Sequence, residues 1–201
     1  MDKLLTVVIP SYNVEKFLNQ TLDSFVCDEA VMKKFEVIVV DDGSKDNTAK
    51  IGKEYADKYP DTFRVISKEN GGHGSTINCG IRNAVGKYFK VVDGDDWVNT
   101  ADFVKLVEDL EKTESEYVFT NYNEYYDDVN RQKAVDFPQF KDGTEYDFAD
   151  VANKVYIPMH ALVIKTSVLK DNNIVIDEKC FYVDVEYVMS VSYTHLRAHE
   201  T

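Results

Sequence analysis

Three carboxylates fall within four residues in Val91-Val92-Asp93-Gly94-Asp95-Asp96-Trp97, at the end of an apolar run. Carboxylates this close repel one another unless a positive charge lies among them. The positive partner suited to oxygen ligands is a divalent cation, and the guest such a cation serves is a phosphate-bearing substrate. Two more polar clusters follow apolar runs: Pro10-Ser11-Tyr12-Asn13 after Val7-Val8-Ile9, and Asp41-Asp42-Gly43-Ser44 after Val37-Ile38-Val39-Val40. A glycine-rich stretch, Asn70-Gly71-Gly72-His73-Gly74, permits positive φ and close backbone approach. Farther on, Asp184 and Glu186 sit in an aromatic setting, Phe181-Tyr182-Val183-Asp184-Val185-Glu186-Tyr187. Taken singly, each acidic cluster also reads as a solvated turn, and Asp184 as a helix N-cap.

The elements that must position these residues follow from hydrophobic periodicity. Leu4–Ile9 is an apolar strand stopped by Pro10, and Val14–Phe25 has helical spacing. Phe35–Val40 is a second buried strand, and Asp46 can cap a helix running to about Lys58. Phe63–Ile66, the helix Ser75–Ala84, the strand Lys87–Val92 and the helix Asp102–Lys112 continue the alternation. Strands apolar on both faces, alternating with helices, imply an α/β fold with a parallel sheet covered on both sides. Ligands of such sheets lie beyond the carboxyl ends of the strands. The three polar clusters therefore share one rim.

Beyond residue 115 the pattern weakens. Tyr117–Tyr126 is strand-like, and 127–147 is polar, with turn signals at Asp127-Asp128 and Asp142-Gly143. Ala161–Lys165 reads as a strand and Thr166–Lys170 as a short helix. No repeat or linker divides the chain, so residues 1–189 are expected to form one domain. Residues 190–201 carry His195 and His199, break the apolar pattern and read as a non-native tail. Those two histidines have no third ligand in sight and are not assigned to a metal.

Composition removes several function classes. Against 23 basic residues stand 36 acidic ones, a net charge of -13. No basic stripe is available for nucleic acid, and passive adhesion to an anionic membrane is disfavoured. The three cysteines show no CxxC spacing, so neither zinc nor a disulfide framework is expected, and the compartment is expected to be reducing and cytoplasmic. No signal-peptide pattern precedes the first strand, and the apolar runs fall far short of the ~20 residues of a membrane helix. The missing GxGxxG after the first strand argues against a nicotinamide-dependent oxidoreductase. A nucleotidyltransferase would show a Gly- and Lys-rich phosphate loop there instead.

Four motifs in order, Val8-Ile9-Pro10-Ser11-Tyr12-Asn13, Val39-Val40-Asp41-Asp42-Gly43-Ser44, Asn70-Gly71-Gly72-His73-Gly74 and Asp93-Gly94-Asp95-Asp96, resemble the family-2 glycosyltransferases of GT-A fold. The resemblance is strong over residues 4–100 and weaker over 160–189. It implies a Rossmann-like, mostly parallel sheet and transfer of a sugar, with inversion, from a UDP-sugar to a hydroxyl acceptor in cell-surface glycan synthesis. Pro10, Ser11, Tyr12, Asn13 and Asp41 would cradle the base and ribose, with Asp42 the neighbouring candidate. Gly72 and Gly94 belong to the same substrate-binding motifs, and His73 would either touch the diphosphate or pack its loop. Asp93 would meet the ribose or the metal, and Asp95 the metal, Mn2+ or Mg2+. Asp184 would be the catalytic base, although Val183 stands where the family usually has Glu. His160 is a candidate for the acceptor side. The resemblance also implies a saccharide or lipid-linked acceptor, and peripheral membrane association through elements following the base, just where this chain stops. A non-catalytic sugar-nucleotide-binding module is the alternative reading.

Overall fold

The computed structural model describes residues 3–126, 131–152 and 154–199, with side chains up to residue 193. The Asp127-Asp128 turn and the last two residues of the expected tail lie outside the described residues. Two strands whose residues are all buried, β1 (Leu5–Ser11) and β2 (Phe35–Asp41), form the centre. Around them lie β3 (Phe63–Ser67), β4 (Tyr88–Val91) and β5 (Tyr117–Phe119). A separate hairpin joins β6 (Tyr122–Tyr126) to β7 (Arg131–Val135), and β8 (Leu162–Lys165) returns to the main sheet. The six-stranded sheet has the order β3-β2-β1-β4-β8-β5. Pairings among β1 to β4 are parallel, whereas β8 runs antiparallel to both of its neighbours. The architecture is thus the mostly parallel α/β sheet expected from the sequence.

Strand alternation divides the core between the two faces. Val8, Ile38, Val40, Phe89 and Val91 pack on one side with Ile77 and Ile81 of α4 (His73–Asn83), Leu169 of α7 (Thr166–Asp171), and Tyr187 and Val191 of α8 (Val183–His199). On the other side Val7, Ile9, Val37 and Val39 meet Leu18 and Leu22 of α1 (Leu18–Asp23) and Phe103 and Val107 of α5 (Thr100–Leu110). Ile51 and Tyr55 of α3 (Thr48–Lys58) complete that layer. Two short helices complete the fold: α2 (Glu29–Met32), whose Met32 is buried in that same layer, and α6 (Phe148–Ala152), whose Phe148 packs edge-on against Tyr117 of the edge strand β5.

Two local expectations are corrected. Pro10 does not stop β1, which continues to Ser11 in register with Asp41. The carbonyls of Val8 and Pro10 accept from Val92 and Gly94, so the proline nitrogen faces the side on which β4 has already ended. No ladder donor is needed there. The first helix is also shorter than its periodicity suggests, beginning at Leu18 rather than Val14. The Val14 and Glu15 N–H groups instead donate to Thr48 Oγ1 (2.9 Å) and Asp46 Oδ2 (3.1 Å), stitching the loop after β1 to the loop after β2. Asp46 stands one residue before the N-cap of α3, Asn47, and its Oδ1 accepts from the Thr48 N–H at the first position of the helix.

At the opposite end of the sheet, Gly86 lies so close to β1 that an added Cβ would stand 2.5 Å from the Leu5 carbonyl carbon and the Thr6 nitrogen. Its own N–H and C=O are held by Thr6 and Thr166 hydroxyls. Backbone on both sides leaves nothing free to yield. Gly86→Ala is expected to cost about 3 kcal/mol, a midpoint loss of roughly 6–12 °C in thermal unfolding.

Candidate active site

The order β2-β1-β4 puts the three polar strand ends side by side on one rim. Local hydrogen bonds then give each loop its shape. Asn13, at φ 55°, donates its N–H to Ser44 Oγ and accepts from the Lys45 N–H through Oδ1 (2.8 Å). Ser11 is buried with its hydroxyl on the Ile9 carbonyl, while Tyr12 is exposed on the rim. The Asp41 carboxylate is buried and accepts from the Ser44 N–H at 3.0 Å. Gly94 is pressed against β1: its N–H donates to Pro10, its carbonyl accepts from Thr21, and a Cβ would meet Pro10, Ser11 and Val14 at 3.0 Å. The contacts seen for Gly94 are therefore packing contacts that bring Asp93 and Asp95 to the edge.

Asp42 has a different set of partners from Asp41. Its carboxylate accepts from the N–H groups of Gly71 (3.0 Å) and Gly72 (2.8 Å) and from Lys68 Nζ at 2.6 Å. The side chain is 3% exposed. These bonds pin the glycine turn, in which Gly72 takes φ 84° and leads directly into α4. The consequence is the placement of His73, the first residue of α4, whose Nε2 lies 2.8 Å from Asp93 Oδ1. Burial opposes protonation of His73, but the hydrogen bond to Asp93 and the charges of Asp93, Asp184 and Asp95 outweigh it and raise its pKa.

Asp93 sits in a turn closed by the Asp96 N–H on the Asp93 carbonyl, with Asp95 exposed beside it. Asp96 keeps an exposed edge, yet desolvation of its carboxyl group, then the charges of Asp93 and Asp95, push it up to about 6. His73 and Lys90 offset this negative field only in part, and the remainder suits a cation. Asp93 and Asp95 offer two carboxylates of the sort that hold Mg2+ or Mn2+ when substrate phosphates and water supply the remaining ligands. Beneath them Lys90 is buried on β4, its pKa lowered by desolvation to about 8, and its Nζ donates to the His160 carbonyl at 2.6 Å.

One cavity of about 360 Å3 joins this rim to the start of α8. His73, Asp93, Tyr156, His160, Tyr182 and Asp184 are among its lining residues. The fold thus brings the acids of β4 and α8 to one space, although a long stretch of chain separates them. Glu186 turns away: both of its oxygens accept from the Asp177 N–H, at 3.0 and 3.1 Å. Val183, where the resembled family has Glu, is buried in the core. Tyr182 takes φ 63° immediately before α8, a left-handed conformation for a bulky residue at the cavity wall. Trp97 packs edge-on against Tyr125, and Tyr122 against His160, so neither ring stands alone. Tyr156 and Pro158 of the cavity wall, and Lys90 behind it, carry no motif in the sequence. The segment before β8 shows no periodicity that would have marked the first two.

Comparison with known proteins shows the family and the fold. A model described as Glycosyl transferase family 2 matches residues 6–172. The chain belongs to glycosyl transferase family 2. It is 38% identical over 118 residues to an uncharacterized glycosyltransferase, EpsJ, of Bacillus subtilis (strain 168), covering 59% of this chain and 33% of the relative. It is 33% identical over 111 residues to the minor teichoic acid biosynthesis protein GgaB of the same organism, covering 55% and 12%. A crystal structure of S. aureus TarS residues 1–349 in complex with UDP-GlcNAc superposes with a TM-score of 0.77 at 24% identity, covering 95% of this chain and 54% of that one. The chain therefore spans a third or less of these curated relatives and about half of that solved chain. Among the described residues, no helix is long and apolar enough to cross a membrane.

Proposed function

We propose that this chain carries the donor-binding and catalytic parts of an inverting glycosyltransferase. It moves a sugar from a UDP-sugar to a hydroxyl of a saccharide or lipid-linked acceptor during cell-surface glycan synthesis, on the cytoplasmic side of the membrane. The observation that carries the reading is the single cavity lined by both Asp93 and Asp184. Inverting transfer needs two things in one place: a site for the diphosphate leaving group and a base for the incoming hydroxyl. Asp93 and Asp95 would hold Mn2+ or Mg2+, which when bound offsets the charge gathering on the departing diphosphate. Asp184 takes the proton of the acceptor hydroxyl as its oxygen bonds to the anomeric carbon. The bond from that carbon to the diphosphate breaks on the opposite face, so the configuration inverts. Ser11, Tyr12, Asn13 and Asp41 line the rim where the nucleoside lies. Asp42, with its oxygens on Gly71, Gly72 and Lys68, shapes the loop rather than touching the donor.

The TarS complex makes UDP the first ligand to test. Titration calorimetry with UDP and Mn2+ is expected to show metal-dependent binding that Asp95→Ala weakens on the order of 10²-fold. Unaltered affinity in that variant would remove the metal assignment. UDP binding with no transfer to any acceptor would instead favour a sugar-nucleotide-binding module.

A further inference from the structure

Between α7 and α8, residues 172–182 form neither helix nor strand, yet their backbone is tied down on two sides. On the α4 side, the buried Asn78 side chain holds both backbone groups of Ile176. Its Nδ2 donates to the Ile176 carbonyl (2.8 Å), and its Oδ1 accepts from the Ile176 N–H (2.9 Å). Gly74 lies so close that an added Cβ would stand 2.1 Å from the Asp177 carbonyl oxygen. Lys179 donates its N–H to the Gly71 carbonyl (3.1 Å), on the same glycine turn that Asp42 pins. On the α8 side, the Asp177 N–H donates to both Glu186 oxygens, at 3.0 and 3.1 Å.

The same segment contains two costly backbone conformations. Lys179 and Tyr182 take φ 58° and 63°, left-handed for residues that carry side chains. Such conformations persist only where the surroundings over-determine them. Asp184 follows in the first turn of α8, where N–H groups lack intrahelical partners and helices fray. Val183 and Tyr187 grip the core on one face of that turn. Asp184 is exposed, so its placement depends on how the chain enters the helix. A general base must come within about 2.6–3.2 Å of its proton, and a misplacement of about 1 Å can cost ~10²-fold in rate. Glu186 stands about 200° around the helix from Asp184 and cannot share the proton transfer. Its carboxylate holds the entry of the chain instead.

We infer that residues 176–182 are a strap that carries the placement of the glycine turn to Asp184. Asn78 fastens its near end, and Glu186, at its far end, is a positioning residue for the base. This rests on the reading of Asp184 as that base, and the experiment separates the two. Turnover is followed as UDP release, with water as acceptor, from UDP-glucose, UDP-galactose, UDP-GlcNAc and UDP-GalNAc. Glu186→Ala frees an N–H at the exposed Asp177, where water replaces the carboxylate, so the melting temperature moves by no more than a few degrees. With the donor that the wild type uses fastest, kcat falls about tenfold in this variant while KM stays within twofold. Glu186→Gln keeps an acceptor oxygen and recovers most of kcat. A Glu186 that only stabilised the fold would lower the melting temperature and leave kcat of the folded protein intact. Hydrogen exchange gives a readout that needs no turnover. The amides of 177–187 exchange about tenfold faster in Glu186→Ala, and about tenfold slower in wild type holding UDP and Mn2+. An unchanged kcat in Glu186→Ala overturns the inference. So does a Glu186→Gln no better than alanine, or exchange that neither the substitution nor UDP moves. If the wild type neither binds nor releases UDP, the glycosyltransferase reading falls. Faster exchange in Glu186→Ala then still upholds the fastening of α8, and unchanged exchange sinks that as well.

Discussion

Replacing Asp184, the proposed base, by asparagine is expected to lower kcat about a thousandfold, within the 10²–10⁴ range of general-base catalysis, and to leave UDP affinity within twofold. Asparagine keeps the size and one acceptor oxygen of aspartate but takes up no proton at neutral pH. Asp184 is exposed, and it is the second residue of α8. Losing its charge at a helix N-terminus costs about 0.3–1 kcal/mol, so thermal unfolding moves by only a few degrees. A base would be needed in the transition state and not for donor binding, so kcat and kcat/KM are expected to fall together. A purely structural Asp184 makes the opposite prediction, a modest loss of stability with kcat intact. UDP release in the presence of acceptor, measured alongside a melting curve, separates the two.

The parts of the fold and site legible in the sequence are those set by short-range pattern. Val37 to Val40 can only be a strand buried on both faces. The polar residues after it then fall on a rim because parallel strands end on the same side. Pro10 misled because the cost of a proline depends on which neighbour its nitrogen faces, and that neighbour, β4, is far away in sequence. The antiparallel entry of β8 beside β4 has no local signature, since Leu162–Lys165 would read as a strand in either direction. The same blindness hid Tyr156 and Lys90. Nothing near Tyr156 is periodic, and Lys90 looks like an exposed residue until β8 places the His160 carbonyl over its amine. Asp41 and Asp42 show the limit most directly. They are adjacent, identical and both buried, yet one accepts from its own turn and the other from a loop about thirty residues on.

That difference gives the second large effect. Asp42→Asn is expected to lower stability by about 3 kcal/mol, a fall of roughly 6–12 °C in melting temperature. The carboxylate now satisfies two backbone N–H groups and the Lys68 ammonium, which is itself only 24% exposed. An amide has one acceptor oxygen for three donors and turns its NH2 group toward one of them, so an N–H loses its acceptor or the Lys68 ammonium loses its counter-charge, keeping only the neutral Glu69 carbonyl and Ser75 hydroxyl. Lys68→Met in the Asp42→Asn background should recover part of the loss, because it removes the orphaned charge. Asp42→Asn also loosens the turn that delivers His73 to Asp93, so UDP affinity falls together with stability and returns in part with it. A carboxylate that bound the donor directly would behave otherwise: UDP affinity would drop in Asp42→Asn at an unchanged melting temperature, and Lys68→Met would restore nothing. Melting curves and UDP titrations of the two single variants and the double variant decide whether Asp42 holds the loop or the ligand.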